Sequence, residues 1–297
     1  MSKLRPYVLP IALVLGLLLH RFCTMLSPAV PYVIFAILLL TFCAVDLRKL
    51  RLTMIDVWIM LFQLVVSTGS YAILLFAGAS HIVAEGVLIG VLCPVASSVA
   101  VISCMLGANR ETVTTYTIVG NLMVAVAAPA IFTIIGVKPE LSFIASFWLI
   151  LKKIAPTLGL PFFIALGLQL LWPKAKQTIA KINGLGFYLW SLALLLTLGQ
   201  TIDFIILHGR GNWSAIVWLG VASLSFCIAQ FGLGRLLGRR YGDTVSGGQL
   251  LGQKNTAMGI WMANTFLHPL ASVFMAFYSI FQNVFNSWQL WHYNRKK

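Results

Sequence analysis

The chain has 297 residues, 60% of them hydrophobic and 9% charged, with a mean hydropathy of +0.92. A soluble domain carries about 25% charged residues, so a soluble enzyme is excluded and nearly the whole chain is expected in the lipid bilayer. The net charge of +14 fits cytoplasmic loops of a multispanning protein rather than a nucleic-acid partner, because no basic run is interleaved with aromatics on a polar face.

A spanning helix takes about 20 residues. Apolar runs bounded by charge or turn residues predict ten spans, at about 7 to 26, 28 to 45, 54 to 77, 82 to 106, 112 to 136, 143 to 172, 184 to 207, 213 to 236, 245 to 267 and 269 to 291. Lys3 and Arg5 precede the first run as in a secretory signal, but no small-residue cleavage site follows, so the run is read as a span. With both termini cytoplasmic, 15 of the 21 Lys and Arg residues lie inside, among them Arg48, Lys49, Arg51, Arg239 and Arg240. Arg21, Lys138 and Arg210 lie outside, while Lys152, Lys153 and Lys254 fall within spans. This asymmetry predicts an even number of spans. The five cysteines (Cys23, Cys43, Cys93, Cys104 and Cys227) form no CxxC or Cys/His cluster, so neither a disulfide framework nor a zinc site is indicated.

Ten spans divide into two sets of five, residues 1–140 and 141–297. Because five is odd, a repeated five-helix unit reverses its topology in the second copy, as in many secondary transporters. Each set has one span interrupted near its middle: Cys93-Pro94-Val-Ala-Ser97-Ser98 in span four, and Gly247-Gly248-Gln249-Leu-Leu-Gly252-Gln253-Lys254-Asn255-Thr256 in span nine. Pro94 has no amide hydrogen and its ring clashes with the carbonyl four residues back. Unwound backbone survives in a membrane only against protein or a water-filled cavity. For Pro94 alone an ordinary kink is the plain alternative; the pair of interruptions points to a transport site, where half-helix ends offer partial charge to an ion.

Lys254 lies too deep in span nine to snorkel, and a charge at a span centre costs roughly 2.5–3.5 kcal/mol on insertion scales, which marks it as functional. Lys152 and Lys153 are expected to snorkel from an interfacial start of span six. Gln63 in span three, Ser97 and Ser98 in span four, and Asn283 and Asn286 in span ten each read singly as helix–helix hydrogen bonds. Thr114, Thr117 and Asn121 in span five share one helical face, which either borders the site or packs.

Cys93-Pro94 followed by small and hydroxyl residues, Gly107-Ala-Asn109, Gly252-Gln-Lys-Asn255-Thr256-Ala and Pro269-Leu-Ala-Ser with Phe277-Tyr-Ser-Ile-Phe-Gln-Asn283 together resemble the bile acid:sodium symporter family in its bacterial form. The resemblance covers most of the chain. It implies an all-α integral membrane fold of ten transmembrane helices in two inverted five-helix repeats, arranged as panel and core domains. It also implies that broken helices four and nine cross and carry organic anions at the crossing. Gln63 matches a family glutamine that reaches the second sodium site. Around span nine the family has Glu, a residue, Gly, a residue, Gln, Asn. Here Leu250 and Lys254 stand where that Glu and Gln help hold sodium, and residues near Val99 and Ala100 replace a Ser-Asn pair.

An ammonium beside a sodium ion is repelled by several kcal/mol even at an effective dielectric of about 20. The second sodium site is therefore expected to be absent, with protonated Lys254 in its place, bracing freed carbonyls. A lysine held away from water can also release its proton during a cycle, which would link transport to protons. The expected function is secondary transport of a small-to-medium organic anion by alternating access, in a bacterial inner membrane with both termini cytoplasmic. Ser97, Ser98, Asn255 and Thr256 would meet the substrate near Pro94 and Gln253. Sodium-coupled symport is the alternative and needs a residual site near Asn109, Thr114 and Thr117. No metal or redox cofactor is implied beyond Na+ or H+ as coupling ion. A membrane enzyme is disfavoured because the five histidines and seven acids lie mostly at span ends without a closely spaced acid pair; a channel or sensor on the same fold is the remaining rival.

Overall fold

A computed structural model describes residues 5–96, 99–136, 140–182 and 184–295. Ser97 and Ser98 of the first interruption lie outside these residues, as do Lys3, Lys138, Lys296 and Lys297 of the charge pattern. The described chain is all-helical. In order it forms α1 (Arg5–Leu18), α2 (His20–Leu26), α3 (Val30–Cys43), α4 (Met54–Phe76), α5 (His81–Leu92), α6 (Val99–Met105), α7 (Arg110–Ile134), α8 (Phe143–Leu158), α9 (Leu160–Leu171), α10 (Pro173–Lys181), α11 (Leu185–His208), α12 (Trp213–Arg240), α13 (Thr244–Gly252), α14 (Thr256–Phe266) and α15 (Ser272–Arg295). Side-chain oxygens of Ser80, Asn109, Ser142 and Asp243 accept the first free amides of α5, α7, α8 and α13, which sets where those helices begin.

Five rods are long and apolar enough to cross a membrane: His20–Cys43, Met54–Phe76, Arg110–Ile134, Leu185–Leu207 and Trp213–Arg240. The pair α8–α9, bent by 44°, makes a sixth. The two interrupted spans are split into halves, α5 with α6 and α13 with α14, each shorter than a bilayer crossing. Lys152 and Lys153 are both exposed on α8, with the Lys153 ammonium 6.0 Å from the Phe266 ring centroid.

The predicted boundary between the first two spans is displaced. The helix is interrupted at Leu19, with no break at Pro28, and α2 and α3 run on as one 24-residue rod. Pro28 is tolerated because it opens a single 3-10 turn, Ser27–Ala29, in which the Ser27 hydroxyl donates to Thr24 O (2.8 Å). Gly199 of α11 receives residues from both sides of this interruption: a Cβ there would lie 2.5 Å from Cys23 Cβ and 3.5 Å from Gly16 Cα. His20 Nδ1 meets Asp203 Oδ1 at 2.6 Å and Thr24 donates to Asp203 Oδ2 at 2.9 Å, which ties α2 to α11. No spacing rule links residues 183 positions apart, so this His–Asp pair is invisible in the sequence.

A second correction concerns Gly247 and Gly248, expected inside the interruption of span nine. They lie within α13, and the break is confined to Gln253–Asn255. The glycines are needed for helix contact instead. A Cβ on Gly247 would stand 2.3 Å from Gly234 O and 2.8 Å from Gly238 Cα, so α12 and α13 touch backbone to backbone.

The helices pack in two groups, α1–α3 with α8–α11, and α4–α7 with α12–α15, joined by α8 along α7 and by α11 against α14. At the end of α3 the buried Lys176 of α10 donates to Val45 O and to Gln169 Oε1 (2.6 Å), and Gln169 in turn donates to Asp46. Burial pushes this ammonium below the usual lysine range, and Asp46 alongside opposes the shift.

Candidate functional site

Stopping α5 at Leu92 strands the last carbonyls of that helix, because an α-helix leaves its final turn without intrahelical donors. In lipid such groups must find partners. They find them in the second interrupted span. The two breaks cross as a short antiparallel bridge between Val95 and Lys254, with Ala96 N donating to Gln253 O (3.2 Å) and Asn255 N to Pro94 O (2.9 Å). The Cys93 thiol adds a donor to Asn255 O at 3.0 Å. Pro94, Gln253, Lys254 and Asn255, which sequence reasoning assigned to separate interruptions, therefore meet at one point.

Lys254 is 1% exposed. Its ammonium donates to Val91 O at 2.8 Å, closing the end of α5, where the helix dipole is negative. Among the described residues it makes no ion pair. Gln63 of α4 covers the next two carbonyls, its Nε2 donating to Leu92 O and, at 2.9 Å, to Cys93 O. Its own Oε1 accepts from Tyr116 of α7 at 2.7 Å. Four successive carbonyls, Val91 to Pro94, are thus met by one ammonium, one side-chain amide and one backbone amide.

The second break is held from α15. Tyr278 OH donates to Gly252 O (2.7 Å) and accepts from Gln230 Nε2 (3.1 Å). Gln282 grips both backbone groups of Lys254, accepting from its N–H (2.9 Å) and donating to its carbonyl (3.1 Å). Asn255 caps α14 by accepting from Met258 N (3.2 Å). Buried Thr256 opens α14, and its neighbour Ala257 packs with Ile37 of α3 and Ala193 of α11, so the start of α14 faces the other helix group.

The remaining expected residues lie elsewhere or are otherwise engaged. Asn109 is exposed and caps α7, accepting from Glu111 N (2.9 Å) and Thr112 N (3.3 Å). Thr117 donates to Val113 O (2.7 Å) and Asn121 donates to Thr117 O, both within α7; Thr114 is half-buried on the same helix. From α7 it is Tyr116 that reaches the crossing. Leu250 packs in one apolar cluster with Ile55, Ile59, Val95, Val99, Val113, Tyr116 and Leu251. Tyr116, Tyr278, Gln230 and Gln282 were missed as site residues. The signal available was a set of hydrogen-bonding side chains in apolar helices, each of which needs a partner, but sequence alone does not say with whom.

No family model matches this chain, and no curated protein matches it.

Proposed function

We propose that this protein is a secondary transporter of a small-to-medium organic anion, working by alternating access. In this reading it makes ten membrane crossings in two inverted five-helix repeats, residues 1–140 and 141–297, with both termini in the cytoplasm of a bacterial inner membrane. The helix group containing the crossing moves against the other group. The observation that carries the reading is the meeting of two helix breaks at a buried ammonium that donates to a helix-end carbonyl and, among the described residues, has no carboxylate partner. A protein that needed ordinary spans would not put a charge and stranded carbonyls at this depth, where both are costly.

Lys254 stands in place of a coupling sodium ion. Support comes from its contact with Val91 O, a carbonyl a cation would otherwise occupy, and from Leu250 and Val99, whose apolar side chains pack in one cluster and offer an ion no oxygen of their own. The same ammonium is the group through which protons would couple to transport. The start of α14 offers partial positive charge to an anionic head. Ile37 and Ala193, with Leu189 and Trp190 behind them, offer apolar surface to the body of the substrate as the two groups part.

The test is uptake of radiolabelled bile acids and smaller carboxylates into proteoliposomes, with sodium or potassium outside, for wild type and Lys254→Gln, alongside melting of both proteins in the two salts at fixed ionic strength. Wild-type uptake and melting are expected to ignore the exchange of sodium for potassium. Lys254→Gln is expected to lose uptake by about tenfold or more, the equivalent of about 1.4 kcal/mol on the transport barrier. A sodium-specific rise in wild-type melting would replace this reading with sodium-coupled symport. Unchanged uptake and pH profile in Lys254→Gln would remove the lysine from the mechanism.

A further inference from the structure

A half-buried cation, Arg235, lies away from the crossing, where α12, α13 and α15 meet. Arg235 of α12 lays its aliphatic stem over Gly248: a Cβ there would stand 2.5 Å from Arg235 Cγ, so the glycine forms the seat of this side chain. Arg235 is half-buried, and among the described residues it makes no ion pair. Its Nη2 donates to Gln289 Oε1 at 2.7 Å. Gln249 Nε2 donates to the same oxygen at 3.2 Å and to Asn286 Oδ1 at 3.1 Å. The three amide side chains are 1%, 3% and 4% exposed for Gln249, Asn286 and Gln289.

In this arrangement the amide oxygens of Asn286 and Gln289 are consumed, while the buried Nδ2 of Asn286 and Nε2 of Gln289 have no acceptor. Buried donors in native proteins are nearly always satisfied, and a desolvated guanidinium needs a counter-charge or equivalent dipoles. Two acceptor-seeking amides beside an uncompensated cation are a donor set for an anion. Water alone would satisfy the amides and leave the charge; the one unmatched acceptor of the cluster, Gln249 Oε1, calls for a donor and is no ligand of the anion. We infer that Arg235, Asn286 and Gln289 form a binding site for a small inorganic anion of halide size, distinct from the helix crossing.

The test is melting of the purified protein in potassium chloride or bromide against potassium gluconate at fixed ionic strength. Chloride and bromide are expected to raise the melting temperature by roughly 2–4 °C, and Arg235→Gln to abolish the difference. Bromide-soaked wild-type crystals are expected to show an anomalous peak within hydrogen-bonding distance of Arg235 and Gln289, which decides the matter even where the variant fails to fold. Equal melting in all three salts, a difference that persists in Arg235→Gln, or bromide bound elsewhere alone would overturn the inference. So would stabilisation through Arg235 by phosphatidylglycerol and not by chloride, which would make the site a headgroup contact.

Discussion

The two helix breaks solve one problem by different means. At the first, the carbonyls of Val91, Leu92 and Cys93 are met by side chains from outside the span, one of them the Lys254 ammonium. At the second, Gly252 O and the backbone of Lys254 are met by the neutral Tyr278 and Gln282 of α15. Both breaks leave the same kind of group stranded at a helix C-terminus. The second shows that a hydroxyl and an amide suffice to close such an end in this fold. A cation is therefore not required for closure at the first, where Gln63 already covers two carbonyls. Its presence there, at the cost of desolvating an ammonium, is what the proposed role of Lys254 in transport rests on.

This contrast can be broken by removing the neutral braces. Gln63→Leu strands Leu92 O, Cys93 O and the Tyr116 hydroxyl at once, and with about 1 kcal/mol for each buried group left unpaired the expected loss is about 3 kcal/mol of stability, read as a fall in the denaturation midpoint in detergent. Gln282→Leu strands two groups, the N–H and carbonyl of Lys254, and is expected to cost about 2 kcal/mol. The order matters as well as the size. If Gln282→Leu proved the more damaging, the second break would be the one under greater demand, and the division between a structural and a charged brace would fail.

How much of this was legible in the sequence follows from what a linear pattern can encode. Span lengths and the two interruptions are one-dimensional, and the helical stretches built from α4 to α9 and from α11 to α15 begin and end within a few residues of the apolar runs, while the polar α10 lies between two of them. Pro94 and Lys254 announced themselves because each breaks a local rule. The interruption at Leu19 did not, since the His20 and Arg21 that follow it equally fit the end of a span, whereas Pro28 looked like a stop and was absorbed by a 3-10 turn. Gly247 and Gly248 were read by backbone freedom when their role is contact with α12, and that contact depends on a neighbour the pattern does not name. Asn109 was named only for the residual site that the sodium-coupled alternative needs; it also stands immediately before α7 in the position of a helix cap, a local signal the sequence carries.

That cap supplies the smallest and sharpest test of where the site ends. Asn109→Ala removes the acceptor for Glu111 N and Thr112 N, and losing an N-cap of this kind costs about 1 kcal/mol. Because α7 begins at an exposed position, solvent can take over part of what the side chain did, which keeps the loss below those of the buried glutamines. Uptake is expected to remain at the wild-type level in proteoliposomes, with sodium or without it. A residue that held a coupling ion would behave in the opposite way, with little change in melting and a large, sodium-dependent loss of transport. The ratio of the two effects in this one variant therefore separates a helix start from an ion site, and with it an anion carrier braced by its own lysine from one driven by sodium.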